Sequence, residues 1–260
     1  MRKRRTAARE GADGRRGIEG GYMALIEARN ITHTYNGVDI ILDSVDLSVE
    51  RGEFVSILGA SGSGKTTLLS ILGGIDKPTF GTVTLDGEEL TSMSERRLAL
   101  LRRSKIGFVF QFFNLAPYLT AEQNILVPVY LAGRTQKSVQ DKLDSLMEFM
   151  GIAGRKKALP AKMSGGEQQR TAIARALIFE PEIIFLDEPT GNLDSMNAEE
   201  VMKLLCSVNR EFGTTVVQVT HSEQNALYGK RIIRLSDGKI VRDYTVGSVD
   251  SPDGNGSREV

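Results

Sequence analysis

The chain has 260 residues, 40% hydrophobic and 25% charged, with 33 Lys plus Arg against 33 Asp plus Glu. That length can bury a core without disulfides or metals, and the single cysteine, Cys206, excludes an intrachain disulfide. Zero net charge gives no general pointer to nucleic acid, and no stretch nears the ~20 apolar residues needed to span a bilayer.

Charge is unevenly placed. Residues 1–22 hold Arg2, Lys3, Arg4, Arg5, Arg9, Arg15 and Arg16 against Glu10, Asp13 and Glu19, a net +4 that leaves −4 for the rest. This Arg- and Gly-rich segment reads as a disordered basic extension. It is not a secretory signal, because no apolar segment follows it. Met23, which opens the patterned region, is expected to be the translation start; intact mass of the native protein checks this. Residues 246–260 are expected to be a flexible tail. Cys206, on an amphipathic helical stretch, is expected as a buried structural thiol in a reducing, cytoplasmic setting.

Strands alternate with helices between these ends. Asn30–Tyr35 and Ser44–Val49 read as antiparallel strands of a small sheet. Phe54–Leu58 is an apolar strand running into a Gly-rich turn, Thr66–Leu72 opens a helix, and Thr82–Leu85 with Gly87 gives a further strand and turn. Residues 92–160 lack strand pattern for long stretches and carry two expected helices, Ser94–Arg103 and Ser138–Met150, so a helical insert over about residues 92–165 is expected. Then follow helix Gly165–Phe179, strand Ile183–Leu186, helix Ala198–Phe212 and strand Thr214–Thr220. Continuous apolar strands alternating with helices predict an α/β fold with a parallel sheet covered on both faces.

Gly59-Ala60-Ser61-Gly62-Ser63-Gly64-Lys65-Thr66 has the form G-x-x-x-x-G-K-[ST], between an apolar strand and a helix. There glycines let successive N–H groups turn inward around a phosphate, and the helix end adds its positive pole. Lys65 supplies a point charge for the β- and γ-phosphates and Thr66 a hydroxyl for Mg²⁺; Thr67 continues the same turn. A flexible Gly/Ser turn is the bland alternative, and the two flanking elements argue against it. Ile183–Leu186 ends in Asp187-Glu188, two acids at the sheet edge where α/β folds bind ligands. Asp187 suits a Mg²⁺ contact and Glu188 the polarising of an attacking water; a turn cap before Pro189 is the alternative.

Met163-Ser164-Gly165-Gly166-Glu167-Gln168-Gln169-Arg170 fits a helix-starting S-x-x-E capping box, and it also resembles the signature sequence of ATP-binding-cassette (ABC) ATPases. The resemblance covers about residues 23–245. It implies a P-loop NTPase (RecA-like) core with a small antiparallel β subdomain and an inserted α-helical subdomain. It further implies ATP and Mg²⁺ as cofactors, and two chains that sandwich two ATP molecules. In that arrangement Ser164, Gly165, Gly166 and Glu167 of one chain face the γ-phosphate held by the other. By the same resemblance Tyr35 stacks on adenine, Gln111 contacts Mg²⁺, Asp194 crosses the dimer interface and His221 holds the γ-phosphate and the water beside Glu188. Lys65, Glu188 and His221 are the expected catalytic set, with Thr66, Gln111 and Asp187 at the metal; Gly59, Ser61, Gly62, Ser63 and Gly64 line the phosphates. His33 lacks such context and is expected to be structural.

Met163, where leucine is usual, and Glu167, where glutamine is common, depart mildly from the pattern, and neither removes a catalytic group. Leu72–Thr79, Gly107–Gln111 and Gly191–Ser195 resemble the branch of lipoprotein-release, macrolide-efflux and antimicrobial-peptide-resistance ATPases. This implies a separate transmembrane permease, a peripheral place on the cytoplasmic membrane face, and no nucleic-acid partner. Phe110–Phe113, Leu115 and Tyr118 read equally as a permease-contacting patch or as core of the insert. Soluble ABC ATPases of DNA repair, ribosomes or iron–sulfur assembly, and import ATPases, are the rival readings.

Overall fold

The computed structural model describes residues 24–247, so the basic segment 1–22 and all but the start of the expected tail lie outside the described residues. Among the described residues ten strands form two sheets. The smaller is antiparallel, in the order β2-β1-β4-β5, built from β1 (Ile26–Thr34), β2 (Ile40–Val49), β4 (Phe80–Leu85) and β5 (Glu88–Glu89). The larger has the order β10-β9-β3-β8-β7-β6, from β3 (Phe54–Leu58), β6 (Ile106–Val109), β7 (Ile183–Asp187), β8 (Thr215–Thr220), β9 (Arg231–Ser236) and β10 (Lys239–Thr245). Its strands pair in parallel except at the β9–β10 hairpin.

Strands β3 and β8 are buried along their whole length, and β7 up to Leu186, because both faces of the sheet are covered, and pleating sends alternate side chains to opposite cores. Ile183 and Phe185 of β7 join one core, with α1 (Lys65–Leu72), α2 (Glu95–Lys105) and the antiparallel sheet. Ile184 and Leu186 join the other, beneath α3 (Ala121–Leu131), α4 (Gln140–Phe149), α5 (Gly165–Leu177) and α6 (Ser195–Phe212). Half-buried Cys206 packs on this second core, and burial pushes its thiol pKa up.

Three features differ from the sequence expectation. The span 92–165 is not purely helical: β6 interrupts it and pairs with β7 in the large sheet. Leu98 and Leu101 of α2 pack on the core shared with the antiparallel sheet, so the strandless stretch begins only after Val109. Helix α3 is absent from the sequence expectation because Pro128 interrupts its period, although a full capping box between Thr120 and Gln123 starts it. The β9–β10 hairpin was also passed over. Its signal is Asp237-Gly238, both with positive φ (48° and 75°), between the paired residues Ser236 and Lys239, as two-residue hairpin turns require.

Candidate functional site

Strands β3, β8 and β7 are neighbours and parallel, so the segments leaving their C-terminal ends meet at one sheet edge. From β3 comes the loop Gly59–Gly64, and α1 begins at Lys65. Gly64 has φ 98°, and a Cβ there would lie 2.8 Å from the carbonyl oxygen of Ile41, so only glycine allows this turn. Lys65 is buried, and its Nζ donates to the carbonyls of Gly59 (2.9 Å) and Ala60 (2.7 Å), which aims the ammonium into the loop. Thr66 Oγ1 donates to Asp187 Oδ1 at 3.1 Å, joining the two predicted phosphate-site segments.

Burial raises the Asp187 carboxyl pKa, the Thr66 hydrogen bond opposes that, neighbouring Glu188 raises it and Lys65 lowers it. Glu188 sits in the left-handed region (φ 46°), with its N–H held by the Val219 carbonyl at 3.0 Å. Its Oε1 lies 2.8 Å from His221 Nδ1, and its Oε2 accepts from the Thr220 hydroxyl at 3.2 Å. A carboxylate can only accept, so the His221 contact requires a proton on Nδ1. The other ring nitrogen is thereby left for a ligand on this largely exposed ring, while Glu188 is mostly buried.

These groups surround a cavity of about 590 Å³, also lined by Tyr35, Thr67, Gln111, Ser61, Gly62 and Ile41. Exposed Tyr35 reaches Thr67 Oγ1 (3.3 Å) and meets buried His33 edge-on at 4.6 Å, which gives His33 a packing role. Gln111 lies just beyond β6, and its carbonyl accepts from Asn192 Nδ2 at 2.8 Å. Apart from Gly59 and Ser63, which belong to the same loop, every residue predicted around the phosphates, adenine, metal and attacking water lines this one cavity.

The other predicted set does not line it. Ser164 caps α5, accepting from the Glu167 N–H at 3.2 Å while Glu167 Oε2 accepts from the Ser164 N–H at 2.8 Å. Glu167 Oε1 accepts from Arg155 Nε at 2.7 Å, so both its oxygens are engaged within the chain, and Arg155 holds its pKa below the usual range. Asp194 caps α6, accepting from the Asn197 N–H at 2.9 Å and from Asn197 Nδ2 at 2.7 Å. Gly166 faces that asparagine, and a Cβ at 166 would lie 2.3 Å from Asn197 Oδ1. The site also uses residues that sequence reasoning passed over. Ile41, in the cavity wall, had no signal, whereas Thr220, which donates to Glu188, adjoins His221 in the sequence.

Comparison with known proteins agrees with this geometry. The family model described as ABC transporter matches residues 42–191. The lipoprotein-releasing system ATP-binding protein LolD of Aquifex aeolicus is 47% identical over 85% of this chain and 98% of its own length. The bacitracin export ATP-binding protein BceA of Halalkalibacterium halodurans is 43% identical over 84% and 87%. A dimeric, post-hydrolysis structure of the ATP-binding cassette MJ0796, bound to ADP and Pi, is 42% identical with TM-score 0.77, covering 85% of this chain and 98% of that one; MJ0796 comes from Methanocaldococcus jannaschii. With its phosphate loop, acid pair and signature-type helix start in this arrangement, the chain belongs to the ABC transporter family, as one of its ATP-binding and ATP-hydrolysing proteins.

Proposed function

We propose that two copies of this chain close around two ATP molecules and drive a separate membrane permease of the lipoprotein-release, macrolide-efflux or peptide-resistance kind. The observation that carries the first part is the division of the site. The phosphate loop, Asp187, Glu188 and His221 share one cavity, whereas the capped N-terminus of α5 lies outside it. A helix start with free N–H groups attracts anions, and a second copy brings it to the γ-phosphate that this chain's own copy does not reach. Relatives named LolD and BceA are ATP-binding proteins of release and export systems, and MJ0796 is a dimer.

Mg²⁺ fits the donors present. Thr66 Oγ1 and Asp187 Oδ1 lie 3.1 Å apart and Gln111 lines the same cavity, an all-oxygen donor set that suits this cation. When bound, the ion supplies charge neutralisation at the β- and γ-oxygens. The chain's own groups do the remainder. The loop amides and Lys65 hold the phosphates, Tyr35 packs on the base, and Glu188 orients and accepts from the attacking water. His221, fixed by its Nδ1–Glu188 contact, donates from Nε2 to the γ-phosphate when both of its ring nitrogens carry protons. Ser164 and Gly166 of the second copy complete the site, while Glu167 shapes that helix end rather than touching phosphate.

Among the described residues no helix is long and apolar enough to cross a membrane. Exposed Phe110, Phe112 and Tyr118 lie after β6. An apolar groove of about 350 Å³, which includes Phe110, Leu131 and Ile75, suits a permease element there. Movement of the Gln111 segment, tied to Asn192, would carry the nucleotide state to that groove.

Light scattering of the Glu188→Gln variant with Mg-ATP tests the two-copy reading: a stable dimer with ATP but not with ADP is expected. A variant that stays monomeric with ATP, while the parent protein hydrolyses it, would falsify the scheme.

A further inference from the structure

Gln169 is fully buried on α5, two residues after Glu167. Its Nε2 donates to the carbonyl oxygen of Pro189 at 2.7 Å, and among the described residues no other group donates to that carbonyl. Its Oε1 has no partner among the described residues. A buried amide oxygen without a partner costs stability, and an apolar side chain of equal length would avoid that cost. The one bond this side chain makes holds the turn beside Glu188. What it holds is the residue directly after Glu188, in the turn where Glu188 takes its left-handed conformation (φ 46°).

The other restraints on this turn come from a different quarter. Thr220 and His221 grip the Glu188 carboxylate, and Asn225 Nδ2 donates to Thr190 Oγ1 at 2.8 Å, all from the end of β8 and the segment that follows it. Gln169 is therefore the side-chain tie between this turn and α5. The N-terminus of α5 is the Ser164 cap, five residues earlier in the sequence.

We propose that Gln169 is a positioning residue. It transmits the placement of α5 to Glu188 of the same chain, so that a γ-phosphate bound at the α5 N-terminus sets the catalytic carboxylate on the opposite site of the pair. The transmission rests on the two-copy reading above; the positioning does not.

The test is Gln169→Met, which keeps the volume and removes the donor. It trades one unpartnered buried acceptor, Oε1, for another, the Pro189 carbonyl, so the melting temperature is expected to stay within a few degrees of wild type. With purified full chain and Mg-ATP, kcat is expected to fall about tenfold, equivalent to about 1.4 kcal/mol of transition-state stabilisation, with KM for ATP within twofold. In the Glu188→Gln background, Gln169→Met is expected to dimerise with ATP as the single variant does, because Gln169 touches no nucleotide. A kcat within twofold of wild type overturns the proposal. So does loss of ATP-driven dimerisation in the double variant alone, which would make Gln169 a support of α5 itself. Failure of Glu188→Gln alone to dimerise would remove the two-copy reading and the transmission with it, leaving the kcat result to decide the positioning role. Gln169→Leu repeats the comparison should the methionine variant melt early.

Discussion

Thr220→Val removes one hydroxyl and almost no volume from the grip on Glu188. Thr220 ends β8 and is buried; its Oγ1 accepts from the Ser222 N–H at 3.1 Å and donates to Glu188 Oε2 at 3.2 Å. A hydrogen bond to a charged group contributes about 1.5–3 kcal/mol. Strong O–H···O⁻ bonds are about 2.5–2.7 Å, so at this longer distance about 1–1.5 kcal/mol is expected. The Ser222 residue is half-exposed, so water replaces the lost acceptor at little cost. Losing one of two restraints on the carboxylate should therefore lower kcat about tenfold. KM for ATP should hold within twofold, because Thr220 does not line the cavity. A stability loss of about 1 kcal/mol corresponds to about 2–4 °C in melting temperature for a domain of this size. The assay is steady-state ATPase of wild type, Thr220→Val and Thr220→Ser, with serine restoring most of the rate. An unchanged kcat in the valine variant, or a rise in KM at constant kcat, would refute the reasoning.

Other expectations concern stability. Asn124, fully buried on α3, accepts from the Ala116 N–H (2.7 Å) and donates towards the carbonyls of Ala116, Leu119 and Thr120. Asn124→Ala should cost about 2–4 kcal/mol by urea unfolding, and a loss under about 1 kcal/mol would mean that the loop finds other partners. Glu167 has its pKa lowered from the ordinary 4.5 by Arg155 and by the Ser164 N–H. A depressed carboxylate contributes stability above its unfolded pKa and loses it as pH falls through the folded value. Acid unfolding of Glu167→Gln should therefore lack part of the stability decline that wild type shows below about pH 4.5. Equal declines in the two proteins would argue against the linkage.

The strand β3, the phosphate loop, the Asp187-Glu188 end of β7 and the α5 capping box were all legible in the sequence, because each is a local device. A run of apolar residues buried on both faces, a glycine spacing and an S-x-x-E start need only near neighbours to be recognised. The β9–β10 hairpin carried an equally local Asp-Gly signal that a reading centred on motifs passed by. Helix α3 was obscured because tertiary packing, rather than clean periodicity, stabilises a helix containing Pro128.

Contacts between distant segments were settled only in three dimensions. The order β3-β8-β7 brings residues 59–67, 187–188 and 220–221 to one edge, and no pattern along the chain specifies that order. The placement of β6 in the large sheet depends on its pairing with β7, since four residues, Ile106–Val109, hold too little pattern to reveal their partner. Likewise, Gln169 read as one polar residue in a signature helix until its donor met the carbonyl beside Glu188. Residue chemistry is a property of the chain, but which donor faces which acceptor depends on the packing of both cores.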